Sequence, residues 1–132
     1  MRFILTALIF VTGMVDLGLG IGFFLQPGDL GRRFGLLPLG QQGLAVLRAD
    51  MTAFFLIAAG CMIWGSWRRN GDLLLVPLAL FAIAFSGRMV SAVVDGTYPQ
   101  FWLPMTAEAF HVVLLAAAWR LLPHHRIDEI AG

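Results

Sequence analysis

Lysine is missing from this chain: all nine basic residues are arginine, and no basic run exceeds the pairs Arg32-Arg33 and Arg68-Arg69. Charge of either sign is scarce, at 13% of 132 residues with a formal net charge of +1, so a nucleic-acid-binding surface has no footprint here. Cys61 is the single cysteine, which excludes an internal disulfide and any thiolate metal cluster within one chain. It stands in the middle of an apolar run with nothing nearby to stabilise a thiolate, and reads as a small packing residue. No internal repeat, low-complexity tract or cofactor motif is evident.

What the chain has is apolar side chain. Hydrophobic residues make up 59% of it, against roughly 45 to 50% in soluble domains, which argues for a membrane protein. A helix rising about 1.5 Å per residue needs about 20 apolar residues to cross about 30 Å of hydrocarbon. Four runs meet that length, at about 3–25, 44–67, 73–94 and 104–122, and nearly exhaust the sequence. The expected fold is all-α, a single integral membrane domain over 1–132, with an up-down-up-down bundle of four transmembrane helices and a cytoplasmic tail at 123–132.

The start of the first run resembles a secretory signal, because Arg2 precedes apolar residues. It stays apolar for too long, however, and has no Ala-x-Ala site, so it reads as a retained helix. Between the first two runs, Gln26 to Gly43 carries two prolines and five glycines, too many breakers for helix to persist. Its leucines and Phe34 suggest a segment lying at the headgroup level or capping the bundle mouth. Arg68-Arg69-Asn70-Gly71-Asp72 reads as a tight turn with a helix-ending glycine, Pro77 falls near the first turn of the third helix, and Pro104 suits a first helical position.

Arginine bias sets the expected orientation, since short cytoplasmic loops carry an excess of basic residues. Four spans place Arg2, Arg68, Arg69, Arg120 and Arg126 on one side and Arg32 and Arg33 on the other, so both termini should be cytoplasmic. Trp64, Trp67 and Trp119 then fall at the inner interface, and Tyr98 and Trp102 at the outer.

Five ionisable residues lie within the spans: Asp16, Arg48, Asp50, Arg88 and Glu108, with His111 one helical turn from Glu108. A charge at a helix centre costs about 2.5 to 3.5 kcal/mol even on lenient insertion scales, so such groups face one another or a wet cavity. By helical rise, Arg48, Asp50 and Arg88 lie about 6 to 9 Å below the outer ends of their helices and Asp16 about 13 Å, with Glu108 and His111 at matching depths. Every charge is thus expected in the outer half, over an apolar inner half.

Glu108 and His111 share a face, as do Arg48 with Thr52, and Arg88 with Ser91 and Asp95. Asp50 is about 200° round a helix from Arg48, so one of the two must reach a neighbouring helix or snorkel outward. Each arginine needs an acceptor, most simply a carboxylate, and the acid left over, Asp16 or Glu108, is the candidate for acid–base work. This assigns Glu108, His111 and Asp16 as candidate catalytic residues and Arg48, Asp50, Arg88, Ser91 and Asp95 as candidate ligand-binding ones. A metal reading of Glu108-x-x-His111 would need a second copy, which is absent, so no metal site is expected. His124 and His125 read as solvated residues near a helix C-terminus. Gly18-x-x-x-Gly22 would permit close helix contact within the bundle or in a homodimer, and Phe54, Phe55, Phe81 and Phe85 read as packing or lipid-facing.

Leu47-Arg48-Ala49-Asp50, Gly87-Arg88-Met89-Val90-Ser91, Asp95-Gly96-Thr97-Tyr98-Pro99 and Glu108 together resemble a family of small four-helix bacterial membrane proteins catalogued as a domain of unknown function. The likeness runs from the first helix to Arg120. It departs at Met51-Thr52-Ala53, where that family carries a Gly-Gly pair. The resemblance implies a bacterial inner-membrane location and a four-helix bundle, and no activity. The residues themselves leave three functions open: a pocket binding or acting on a small amphiphilic molecule, a non-enzymatic subunit of a membrane complex in which the charges are structural glue, and transport, which the apolar inner half disfavours.

Overall fold

A computed structural model describes residues 2–124. Among these the chain is all helical, without strands. Five helices follow one another: α1 (Arg2–Leu25), α2 (Pro27–Arg33), α3 (Gly40–Arg68), α4 (Asp72–Val94) and α5 (Trp102–Leu121). All but α2 are long and apolar enough to cross a membrane. Of the expected tail at 123–132, only Pro123 and His124 fall among the described residues.

Helix α1 buries Ile9, Gly13, Asp16, Gly20 and Phe23, alternating steps of four and three that keep one stripe facing the bundle. Its main neighbour is α3, running antiparallel, and two of those small residues set the approach. A Cβ on Gly20 would lie 2.6 Å from Leu56 Cδ2, and one on Gly13 would lie 3.0 Å from Met62 Cβ. Within the bundle the close contact is made at these positions and not at Gly18, where a Cβ would meet nothing within 4 Å; at Gly22 a Cβ would meet only a side-chain atom of Leu30 on α2. Helices α4 and α5 form the second antiparallel pair. Phe54 of α3 against Phe81 of α4, and Asp16 of α1 against His111 of α5, join the two pairs.

Two departures from the sequence reading involve breakers. The glycine-rich connector does form helix, the two-turn α2, with Pro27 in its first turn where no N–H is needed. There Gly31 is buried so closely that a Cβ would meet Leu47 Cδ1 at 2.7 Å. Gly71 does not end α3 by its conformation; Arg69 takes the left-handed position at φ 51°, while Asn70 N–H bonds back to Gly65 O at 2.9 Å. Gly71 is needed for space, because a Cβ there would lie 2.9 Å from the His124 ring. That ring is not free in solvent: its Nδ1 lies 2.7 Å from Asp72 Oδ1, and Gly71 N–H bonds Pro123 O at 2.9 Å. His125 lies outside the described residues.

The apolar core, with Ile9, Ala58, Met62, Leu74, Leu115 and Ala118 fully buried, fills the half of the bundle nearest this turn. The half towards α2 holds the buried ionisable side chains, Asp16, Glu108 and His111.

Candidate functional site

Helix α5 presents Glu108 and His111 on its buried face, one helical turn apart, and each meets a different neighbour. Arg88 of α4 donates from Nε to Glu108 Oε1 at 2.7 Å. His111 Nε2 lies 3.1 Å from Asp16 Oδ2 of α1. The second contact is the more deeply buried, with the Asp16 side chain 2% exposed and that of His111 11%.

The imidazole is held on three sides. Its ring stacks on Phe81 with centroids 3.9 Å apart and Phe110 stands edge-on to it, while Nδ1 lies 2.7 Å from Ala107 O. A carbonyl oxygen only accepts, so Nδ1 carries a hydrogen. Two lone pairs would repel across the Nε2 to Oδ2 contact, so one further proton lies between them. Asp16 and His111 are therefore joined through one proton, a buried carboxyl–imidazole contact of the kind used in acid–base pairs.

A cavity of about 460 Å³ opens beside these pairs, within the roughly 300 to 1,000 Å³ typical of small-molecule sites. Asp16, His111, Glu108, Arg88 and Asp50 reach it between the rings of Phe34, Phe54, Phe55 and Phe81. These rings touch in series, from Phe34 and Phe23 through Phe55 and Phe54 to Phe81. Phe54, Phe55 and Phe81 thus do more than pack the bundle or face lipid, as the sequence suggested, since they wall the cavity.

Asp50 reaches the cavity because α3 is not a regular α-helix there. Leu47–Met51 form one π turn, a widening found often at functional sites, which rephases the helix just where Arg48 and Asp50 sit. Asp50 faces the open side of the cavity, and Arg48 points away from it. The expected carboxylate partner for Arg48 is not the one it takes: its Nε donates to Phe24 O at 3.0 Å, satisfying a carbonyl in the last turn of α1 that no later helical N–H reaches. Arg48 fastens α1 to α3 and does not line the cavity. Thr52, expected beside it, is buried where the π turn reverts to α-helix, with Oγ1 unpartnered.

Ser91 and Asp95 are exposed and line a different cavity, of about 530 Å³, whose boundary with the first is Ala84, Arg88 and Glu108. One cavity therefore brings together Asp16, Asp50, Arg88, Glu108 and His111; Ser91 and Asp95 share the second with Arg88 and Glu108, and Arg48 lines neither. Missing from the sequence-based set were Phe34, Leu19 and Met51, which also line the cavity. Only the aromatic character of Phe34 in an otherwise aliphatic connector marked it in advance.

No family model matches the chain, and neither curated proteins nor solved structures gave a significant match. Function must therefore be argued from the site. Glu108 Oε2 is buried without a hydrogen-bond partner, an acceptor left unused by the Arg88 bridge. A proton-sharing pair, an unused carboxylate oxygen and a guanidinium at the edge of an aromatic cavity can bind a molecule with an apolar body and a polar group, and can give or take its proton.

Proposed function

We propose that this chain is an integral membrane protein, an up-down-up-down bundle of its four long helices, whose cavity binds or acts on a small amphiphilic molecule. The observation that carries the reading is the convergence of Asp16, His111, Glu108 and Arg88 on a cavity walled by four phenylalanine rings. A half-apolar, half-ionic lining suits an amphiphile better than either a purely polar solute or a purely structural contact.

Arginine placement supports an orientation with α2 outside and the α3–α4 turn in the cytoplasm, because Arg2, Arg68, Arg69 and Arg120 lie at the turn end and only Arg32 and Arg33 in α2. Exposed Trp64 and Trp67 at one end, with Tyr98 and Trp102 at the other, fit two interfacial belts. The resemblance to a bacterial inner-membrane family supports that location.

A plug tests the pocket. Ala107 is exposed, and its side chain borders the cavity while its backbone oxygen serves His111. Ala107→Phe should fill the opening without touching either polar pair. Mass spectrometry of small molecules extracted from purified protein should find an amphiphile with the wild type and not with the plugged variant. Equal recovery from both would remove the pocket reading.

A second reading is structural glue, and a specific observation favours it. Both polar pairs cross between helices, Asp16–His111 joining α1 to α5 and Arg88–Glu108 joining α4 to α5. Under that reading the plug changes nothing, while loss of either pair lowers thermal stability.

A further inference from the structure

The cavity has an arginine-lined vestibule. A second space of about 530 Å³ adjoins it, sharing Phe34, Arg88, Pro104 and Ala107, and is lined further by Arg32, Arg33, Tyr98 and Gln100. Three guanidiniums line the vestibule and no carboxylate does, whereas the inner cavity carries Asp16, Asp50 and Glu108. Arg33 is without a salt bridge in the vestibule among the described residues, whereas in the chamber Glu108 is offset by Arg88 and Asp16 by the proton it shares with His111, so an anionic group is favoured in the vestibule over the chamber behind it.

The arginines there have capacity to spare. Arg32 is bridged to Asp29, but Arg33 takes no salt bridge among the described residues. Arg88 gives Nε to Glu108 and keeps four of the five guanidinium N–H donors for Tyr98 and for whatever enters the vestibule. Planar guanidinium forks match the oxygens of carboxylates and phosphates. The inner chamber offers ring faces and aliphatic side chains to an apolar body, and its only guanidinium, Arg88, stands at the boundary with the vestibule.

We propose that the ligand is an acidic amphiphile, with its anionic head, a phosphate or carboxylate, held by Arg33 and Arg88 in the vestibule and its apolar body in the phenylalanine-walled chamber beside Asp16 and His111. This rests on the pocket reading above and gives that pocket a direction and a ligand class. A free anion offers the same head without the apolar body, and the probes below separate the two.

The full chain is placed in nanodiscs of neutral phosphatidylcholine, and binding of dodecyl phosphate, dodecanol and inorganic phosphate is followed by native mass spectrometry. Dodecyl phosphate should bind best. Arg33→Gln should weaken it about fivefold and Arg32→Gln/Arg33→Gln about tenfold, the modest size expected where the arginines are solvent-exposed. Arg120→Gln, at the opposite end of the bundle, should leave binding unchanged, and raised salt should weaken it through screening. Equal binding of dodecanol, or indifference to Arg33→Gln, overturns the anionic head while leaving the pocket in place. Inorganic phosphate binding as tightly as dodecyl phosphate overturns the amphiphile in favour of a free anion. No binding by any probe, with the Ala107→Phe plug also without effect, removes both this assignment and the reading beneath it.

Discussion

Replacing Asp16 by asparagine and by alanine separates its role as a hydrogen-bond partner from its role as an acid. In the wild type one proton lies between Asp16 Oδ2 and His111 Nε2 at 3.1 Å, and Ala107 O fixes the other ring hydrogen on Nδ1. An asparagine NH₂ can donate to Nε2 in the same place, so Asp16→Asn keeps the contact but makes it neutral. Neutral hydrogen bonds contribute about 0.5 to 1.5 kcal/mol net and charge-assisted ones about 1.5 to 3, so the expected loss is about 1 kcal/mol. Alanine leaves Nε2 without a partner at a site where the ring is almost wholly enclosed, and an unsatisfied buried group costs about 1 to 3 kcal/mol beyond the cavity that truncation creates. Thermal unfolding of purified protein in detergent should therefore rank wild type above Asp16→Asn, and Asp16→Asn above Asp16→Ala. Ligand recovery should not follow that ranking: under the pocket reading Asp16→Asn keeps the amphiphile, whose head is held at Arg33 and Arg88, and loses only proton exchange with it, because an amide does not replace the carboxyl as acid or base. An Asp16→Ala variant as stable as the wild type, or Asp16→Asn less stable than Asp16→Ala, would refute the proton placement.

Three further outcomes follow from the packing. Gly20→Leu should destabilise by at least about 1 to 3 kcal/mol through overpacking against Leu56, while Gly18→Leu, with open space around it, should stay near wild type in the same unfolding assay. Arg48→Ala should lower stability by about 1 kcal/mol through loss of its bond to Phe24 O and leave ligand recovery untouched; a loss of ligand would restore Arg48 to the site. In a Cys61→Ala background, Arg33→Cys and His124→Cys should react with a membrane-impermeant maleimide from opposite faces of sealed vesicles, and labelling from one face would overturn the four-span topology.

The level of the polar residues was legible from sequence because it follows from helix rise alone. Asp16, Arg88, Glu108 and His111 meet where counting from the helix ends put them, and Glu108 with His111 share a face because three residues make nearly one turn. Pairing was not legible. Both arginines called for acceptors, but nothing in the residue pattern distinguished a carboxylate from a helix-terminal carbonyl, and Arg48 took the latter. The clue was the angular conflict between Arg48 and Asp50, which the π turn resolves by sending one to α1 and the other to the cavity. Which glycines allow close approach within the bundle was not legible either, because that use depends on what lies opposite. Gly18 faces open space, whereas Gly13, Gly20 and Gly31 lie against neighbouring side chains where a Cβ would be crowded.

The division of the bundle into two halves also bears on the choice between binding and transport. A path across the membrane must continue from the Asp16–His111 pair towards the α3–α4 turn, and the next layer there is Ile9, Ala58, Met62 and Leu115, each wholly buried and without a polar atom in its side chain capable of holding water or an ion. At the turn itself, Gly71, Pro123, Asp72 and His124 are hydrogen-bonded to one another across the end of the bundle. The cavity instead adjoins the arginine-lined vestibule at the α2 end through Phe34, Arg88, Pro104 and Ala107. Under the pocket reading, a molecule that enters by the vestibule meets an apolar floor beside the Asp16–His111 pair, which fits a one-ended site better than a conduit.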